Sequence, residues 1–383
     1  MSTFIGNGID QLSEVHSILQ GKRIGLLTSP TGVDASLRST IDIIHERYEL
    51  TALFSPEHGV RGDQEAGALI DTYTDPATGV PVYSLYRKDS KRITNEMLDN
   101  VDVVVYDIQD IGTRFYTYIY SMIYMIEDCA RLGRELVILD RINPLDGVTV
   151  EGNVLKDGFQ SFVGNYPLAM RYGLTCGEIA LMVNDQMNYG CKLHVAKLAN
   201  WNRELQFPDT GKVWIQPSVN IPRFDAALLY PGTCLFEGTN ISEGRGTTFP
   251  FEMIGAPFID AVKLAAAMNS KKFAGVHFRP AYFRPSFSKH AGILCQGVQL
   301  HVLDRKAVQS VNIGLELLFV VKEQTEQFSF LPPIKEGSRP FIDLLAGDKI
   351  LREHNGTAAE LREQFSEESE RFAAMKKDYH LYK

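Results

Sequence analysis

The residues best suited to chemistry fall in three short clusters, each joining acids or amides to an arginine. They are Ser55-Pro56-Glu57-His58-Gly59-Val60-Arg61-Gly62, Asp107-Ile108-Gln109-Asp110-Ile111-Gly112-Thr113-Arg114 and Asp140-Arg141-Ile142-Asn143-Pro144. Glu57 is the sharpest candidate. Pro56 restricts the backbone before it, and His58-Gly59 marks a tight turn after it. A carboxylic acid in a partly dry cleft has its pKa raised and can protonate a leaving oxygen. The competing roles for Glu57 are capping the following helix or pairing with Arg61. His58 either orients Glu57, binds a ligand hydroxyl or makes a structural hydrogen bond.

Asp107, Asp110 and Asp140 each offer a second carboxylate. Asp140 can equally accept hydrogen bonds from its own turn, and Asp110 can serve the start of the next helix. Arg114 and Arg141 are candidate ligand anchors, because a guanidinium clamps a carboxylate through two parallel bonds. Gln109 and Asn143 stand beside them as amide hydrogen-bonding groups.

A second constellation runs from Tyr230 to Thr248 and includes Glu237-Gly238-Thr239-Asn240 and Gly244-Arg245-Gly246-Thr247. Glycines among hydroxyl, amide and charged side chains make a loop that can approach a polar ligand closely. Glu237, Thr239, Asn240 and Arg245 are its candidate contacts, and Asn220 in the rigid loop Gln216-Pro217-Ser218-Val219-Asn220-Ile221-Pro222 is another. No Gly-Lys-Ser/Thr ending and no G-x-G-x-x-G after the first strand are present, which argues against nucleotide and nicotinamide cofactors. No paired Cys/His spacing and no H-E-x-x-H suggest a metal. The expectation is an enzyme that works without a cofactor. Five cysteines, Cys129, Cys176, Cys191, Cys234 and Cys295, are scattered and read as free, mostly buried thiols. Cys234 is a minor candidate for a catalytic thiol.

The elements that must position these clusters alternate between strand and helix. Strands are expected at 22–27, 50–54, 82–85, 101–106 and 135–139, with helices through Ile41 and Ile44, at 94–100, and at 116–132. The run Val101-Asp102-Val103-Val104-Val105-Tyr106 suits a strand buried on both faces. This pattern predicts an α/β fold, with a Rossmann-like parallel sheet whose ligands bind at the carboxyl ends of the strands. All three clusters lie at such ends. Residues 150–255 read as loop-rich, apart from a helix opened by Thr175 and Glu178 at capping-box spacing, which marks Glu178 as structural. A helix at 258–268, β-rich segments near 276–278 and 298–302, a helix at 311–323 and a charged helical last stretch predict a smaller α+β C-terminal domain. The expected division is 1–232 and 233–383, the second completing the cleft.

A chain of 383 residues with 44% hydrophobic and 22% charged residues is long enough for two cores and is not disordered. Its net charge of −8 argues against a nucleic-acid partner. No apolar run is long enough to span a membrane. The start MSTFIGNGIDQL lacks a signal-peptide pattern, so a cytoplasmic location is expected, or a periplasmic or secreted one if a leader has been removed. Oligomeric state has no signature in the sequence.

Taken together, the three clusters, Pro217-Ser218-x-Asn220-Ile221-Pro222 and Glu237-Gly238-Thr239-Asn240 through Gly244-Arg245-Gly246-Thr247 resemble one group, the bacterial exo-β-N-acetylmuramidases. The motifs appear in family order from near residue 24 to past 340. Ile142 stands where the family motif is expected to carry Pro, and the export signal common in the family is not visible. The resemblance implies a glycosidase that releases terminal N-acetylmuramic acid from the non-reducing end of peptidoglycan fragments. It also implies a glutamate in the cleft, matched by Glu57, with arginines available for the lactyl carboxylate. Two other readings are a muropeptide-binding protein without activity and an amidase or esterase, which would need Ser55 or Cys234 as nucleophile.

Overall fold

Five consecutive buried residues, Val103-Val104-Val105-Tyr106-Asp107, form the strand on which the first half of the chain is hung. The computed structural model describes residues 4–56, 59–62, 72–85, 87 and 90–383. In chain order the first half runs α1 (His16–Leu19), β1 (Arg23–Thr28), α2 (Thr40–Arg47), β2 (Glu49–Ser55), β3 (Tyr73–Thr74), β4 (Pro81–Ser84) and β5 (Val103–Asp107). It continues with α3 (Tyr118–Leu132), β6 (Glu135–Leu139), β7 (Glu151–Val154), β8 (Ala169–Arg171), α4 (Cys176–Gln186) and β9 (Leu193–Ala196). Seven of these strands make one sheet in the order β3-β4-β2-β1-β5-β6-β9, parallel throughout except at β3.

Alternating strand residues face opposite layers of helix. Leu27, Phe54, Val104, Tyr106 and Ile138 pack with Ile119, Ile123, Ile126 and Ile179 of α3 and α4. Leu26, Leu53, Val105 and Val137 pack with Ile41 and Ile44 of α2. Both faces are therefore covered, as a parallel sheet requires. From β1 the chain builds outward to β2 on one side and then returns to β5 on the other. The strand order reverses at the β1–β5 boundary, leaving a crevice at their carboxyl ends.

The second half holds α5 (Phe224–Thr233), β10 (Met253–Ala256), α6 (Ala261–Ser270), β11 (Val276–Phe283), β12 (Cys295–Val302) and α7 (Ser310–Gln324). It ends with α8 (Phe341–Ala346), α9 (Ile350–Glu353) and α10 (Ala358–Met375). Its antiparallel sheet has the order β10-β12-β11. The expected α/β architecture with a smaller α+β part is thus present.

Local departures have physical causes. The helix expected at 94–100 is a single 3-10 turn at Glu96–Leu98. Asp102 accepts the backbone N–H of Arg23 at 3.0 Å and its Nη2 at 2.8 Å, which draws the chain into the sheet before a helix can extend. The helix expected from Phe258 starts after Asp260, whose carboxylate caps the N–H groups of Val262 and Lys263. The segment Tyr230-Pro231-Gly232-Thr233, read as loop, is the last turn of α5.

That last turn crosses α7 with almost no gap. A Cβ on Gly232 would lie 1.9 Å from the Ser310 carbonyl oxygen, and one on Gly314 would lie 2.4 Å from the Gly232 backbone. Gly232→Ala is expected to force the helices apart and destabilise the protein by about 3 kcal/mol, measured by urea unfolding. An unchanged midpoint would show that the crossing is looser than described.

Candidate functional site

The floor of the crevice is an ion pair. Arg141 Nε and Nη2 donate to Asp107 Oδ1 and Oδ2 at 2.5 and 2.9 Å, and Nη2 also donates to the Val33 carbonyl at 2.9 Å. The Thr40 hydroxyl, at the start of α2, donates to Asp107 as well. Both charged residues are buried. Arg141, expected as a ligand anchor, already has a bidentate partner within the protein.

Arg114 requires a larger correction. It is fully buried, and its guanidinium donates to the carbonyls of Asn153, Leu168, Leu345 and Ala346 at 2.7–3.0 Å. It joins the β7–β8 ribbon to the end of α8 and presents nothing to a ligand. Burial pushes its pKa down to about 10, against the opposing pull of Tyr120 and Glu368.

Three further candidates serve turns, as does the capping residue Glu178. Asp110 accepts from the Gly112 N–H at 2.6 Å and from the Tyr172 hydroxyl, and burial raises its pKa to about 6. Asp140 accepts from Thr175 Oγ1, the Gly177 N–H and Tyr382 Oη at 2.7, 2.8 and 2.5 Å. Asn143 bonds the Leu174 carbonyl and the Leu145 N–H. Glu178 forms the expected capping box with Thr175 and also holds Arg203 at 2.5 Å. None of the four lines either of the two cavities that hold the other candidates.

In the first cluster, Arg61 grips Asp75 through Nε at 2.7 Å and Nη2 at 2.9 Å. This pair lowers the Asp75 pKa and gives Arg61 a bidentate partner within the protein. Glu57 and His58 lie outside the described residues. Among the nucleophiles of the amidase or esterase reading, Ser55 is buried with its hydroxyl on the Pro56 carbonyl at 3.1 Å. All five cysteines are free and buried, and burial holds the Cys234 thiol far above its ordinary pKa. Neither suits attack on a substrate.

The remaining candidates divide between two cavities. The smaller, about 170 Å³, lies where α3 begins and is lined by Asn220, Glu237 and Arg245 together with Phe115, Tyr116, Tyr118, Tyr230 and others. Tyr116 stands edge-on to both Tyr118 and Tyr230, with ring centres 5.2 and 6.0 Å apart, so the wall is rigid. Arg245 Nη2 donates to Glu237 Oε1 at 2.5 Å, and its ring partner Phe251 lies 5.1 Å from the guanidinium carbon. Burial raises the Glu237 pKa; Arg245 opposes that and Glu243 reinforces it. Thr239 and Asn240 shape this loop from behind. Thr239 Oγ1 donates to the Phe236 carbonyl, and Asn240 bonds the Gln327 carbonyl and the Ser329 N–H.

The larger cavity, about 390 Å³, opens over the ends of β1, β5 and β6 and includes Gln109 and Arg141 in its lining. The sequence reading did not single out the aromatic wall, although the density of tyrosines in Tyr116-Thr117-Tyr118-Ile119-Tyr120 was a visible signal.

Family models for the N-terminal and C-terminal parts of exo-β-N-acetylmuramidase NamZ match residues 24–225 and 228–382. The peptidoglycan β-N-acetylmuramidase NamZ of Bacillus subtilis (strain 168) is 46% identical over 385 residues, covering 99% of this chain and 91% of that protein. Two crystal structures of DUF1343 family proteins from Bacteroides fragilis NCTC 9343 share the fold. One has a TM-score of 0.90 at 38% identity, with all of both chains covered. The other has a TM-score of 0.80 at 30% identity and covers all of this chain and 99% of its own.

The state of Asp110 has a measurable consequence. Its folded pKa of about 6 exceeds its ordinary 3.8, so its contribution to stability is complete below about pH 4 and is lost as pH rises through 6. Asp110→Asn removes that slope. Relative to the variant, the parent is expected to lose up to about 3 kcal/mol between pH 4 and 7 in urea titrations. Parallel pH curves would place the proton elsewhere.

Proposed function

The chain belongs to the exo-β-N-acetylmuramidase NamZ family, and on that premise we propose that it is an exo-acting glycoside hydrolase. In this reading it releases β-linked N-acetylmuramic acid from the non-reducing end of peptidoglycan fragments. The structural observation that carries the reading is the Glu237–Arg245 pair in a cavity walled by Phe115, Tyr116 and Tyr230. Aromatic rings cover the apolar face of a sugar, while a few fixed polar groups orient its hydroxyl and amide groups.

Glycoside hydrolysis commonly needs two carboxyl groups, one to protonate the leaving oxygen and one to act at the anomeric carbon. Glu57 is assigned the first role, as the motif position suggests. Glu237 supplies the second, with Arg245 fixing which of its oxygens faces the ligand. Alternatively the substrate's own acetamido oxygen attacks, and Glu237 then orients the amide. A separation of about 5–5.5 Å between the two protein carboxyls belongs to direct attack with retention, and about 6.5–9.5 Å to inversion through water.

The deciding experiment offers the enzyme MurNAc–GlcNAc and, separately, GlcNAc–MurNAc. Free N-acetylmuramic acid from the first alone is the expected result. No product from either, or cleavage inside longer glycans, overturns the exo reading. Glu57→Gln is expected to lower kcat by about 10²–10⁴-fold while the protein stays folded. Full turnover in that variant would remove Glu57 from the chemistry.

A further inference from the structure

The proposed substrate carries a carboxylate, yet the two arginines expected to receive it, Arg114 and Arg141, are committed inside the protein. Another cation has to meet the acid. The larger cavity contains one. Lys212 lines it, half-buried, together with Thr31, Asn7, Gln109 and the edge of Arg141.

Among the described residues Lys212 forms no ion pair, in contrast to Arg141, which Asp107 neutralises. Loss of water lowers the Lys212 pKa; of the charges that act on it, Asp10 opposes that shift and Arg141 adds to it. Its ammonium also lies 5.9 Å from the Phe4 ring centre. Asp34, on the same wall, turns its carboxylate to the N–H groups of Ser36 and Arg38, both at 2.9 Å. A half-buried cation with no ion-pair partner is costly unless a ligand supplies one. The cavity stands at the strand-order reversal, where open α/β sheets place their ligands. Its rim is apolar and open: Phe4, Leu37 and Val213 are 55%, 53% and 62% exposed.

We propose that this cavity is a carboxylate-binding subsite in which Lys212 pairs with the acid group of the sugar substrate and the apolar rim covers the carbon chain bearing it. The proposal rests on the hydrolase reading and names what that reading lacks, the group that distinguishes an acidic amino sugar from a neutral one. Two sources of the carboxylate share this chemistry, the lactyl ether of the sugar and the end of an attached peptide.

Binding of three monosaccharide probes separates them without any turnover. These are N-acetylmuramic acid, N-acetylmuramoyl-L-alanine, whose acid sits on the peptide, and N-acetylglucosamine, which has no acid. In titration calorimetry, Lys212→Met is expected to weaken at least one of the two acids by about tenfold or more, with the neutral sugar unchanged and Lys212→Arg restoring most of the loss. The acid that loses more identifies the source. Lys212→Gln, equally neutral but polar, serves if the Met variant does not fold. Acid binding that survives both neutral variants overturns the proposal, as does a parent protein that binds neither acid. Hydrolysis of MurNAc–GlcNAc by the parent is scored separately: turnover without a Lys212 effect removes the subsite alone. A Lys212 effect without turnover removes the hydrolase reading and leaves the cavity an acid-binding site.

Discussion

The buried pair between Asp107 and Arg141 is the interaction on which the carboxyl edge of the large sheet depends. Asp107 ends β5 and Arg141 follows β6, so the pair bolts two neighbouring strands together just where their backbone ladder stops. The Thr40 hydroxyl brings in the start of α2, and the Val33 carbonyl brings in the loop after β1. Four segments therefore meet around one charge pair. Removing either partner of such a pair leaves an uncompensated buried charge, at a cost of about 3–5 kcal/mol. The same pairing neutralises Arg141, and so decides that the anion-seeking group above it has to come from elsewhere.

A related logic governs the loop-rich middle of the chain. Irregular backbone cannot satisfy its own carbonyls, and buried carbonyls need donors. Long cationic side chains provide them. Arg114 supplies four carbonyls, and Arg171 bridges the Leu145 carbonyl, Asp146 and Glu151. Lys376 donates to Gly147 and Gly173 at 2.7 and 2.5 Å, close enough that a Cβ on Gly173 would meet its ammonium. Burial and the neighbouring Arg203 lower the pKa of Lys376 to about 7. The last residues complete the frame: Leu381 donates to Glu178, and Tyr382 reaches Asp140 while standing edge-on to Trp201. The C-terminal segment is thus part of the wall behind the third motif.

Periodicity and burial made the parallel sheet readable from the sequence, because strands covered on both faces leave unbroken apolar runs such as Val103-Val104-Val105. Position relative to strand ends also identified all three clusters. What could not be read was the partner of each arginine. Arg114 meets Leu345 and Ala346 more than two hundred residues away, and no local pattern announces such a contact. Helix α5 was hidden for a different reason: Pro231 and Gly232 look like loop residues, and only the tight crossing with Gly314 explains why glycine stands in a helix. Lys212 was missed because it lies in no motif; its character comes from what surrounds it.

Counting partners separates the cations committed inside the protein from those that face a cavity more sharply than residue type does. Arg61, Arg114, Arg141, Arg171 and Arg203 each donate to two or more protein acceptors, whereas Lys212 faces a cavity and Arg245 faces an acid that itself lines one. The segment 207–220 contributes to both cavities, through Phe207 and Lys212 to one and Ser218 and Asn220 to the other. This shared wall matters electrostatically. An anionic sugar approaching Glu237 would disfavour the ionised form of that carboxyl and raise its pKa beyond what burial already does. In the proposed subsite, pairing the substrate's acid with Lys212 would remove most of that influence. Glu237 is then left to the opposing effects of burial and Arg245, so its ionisation would be set by the protein and not by the charge of what it binds.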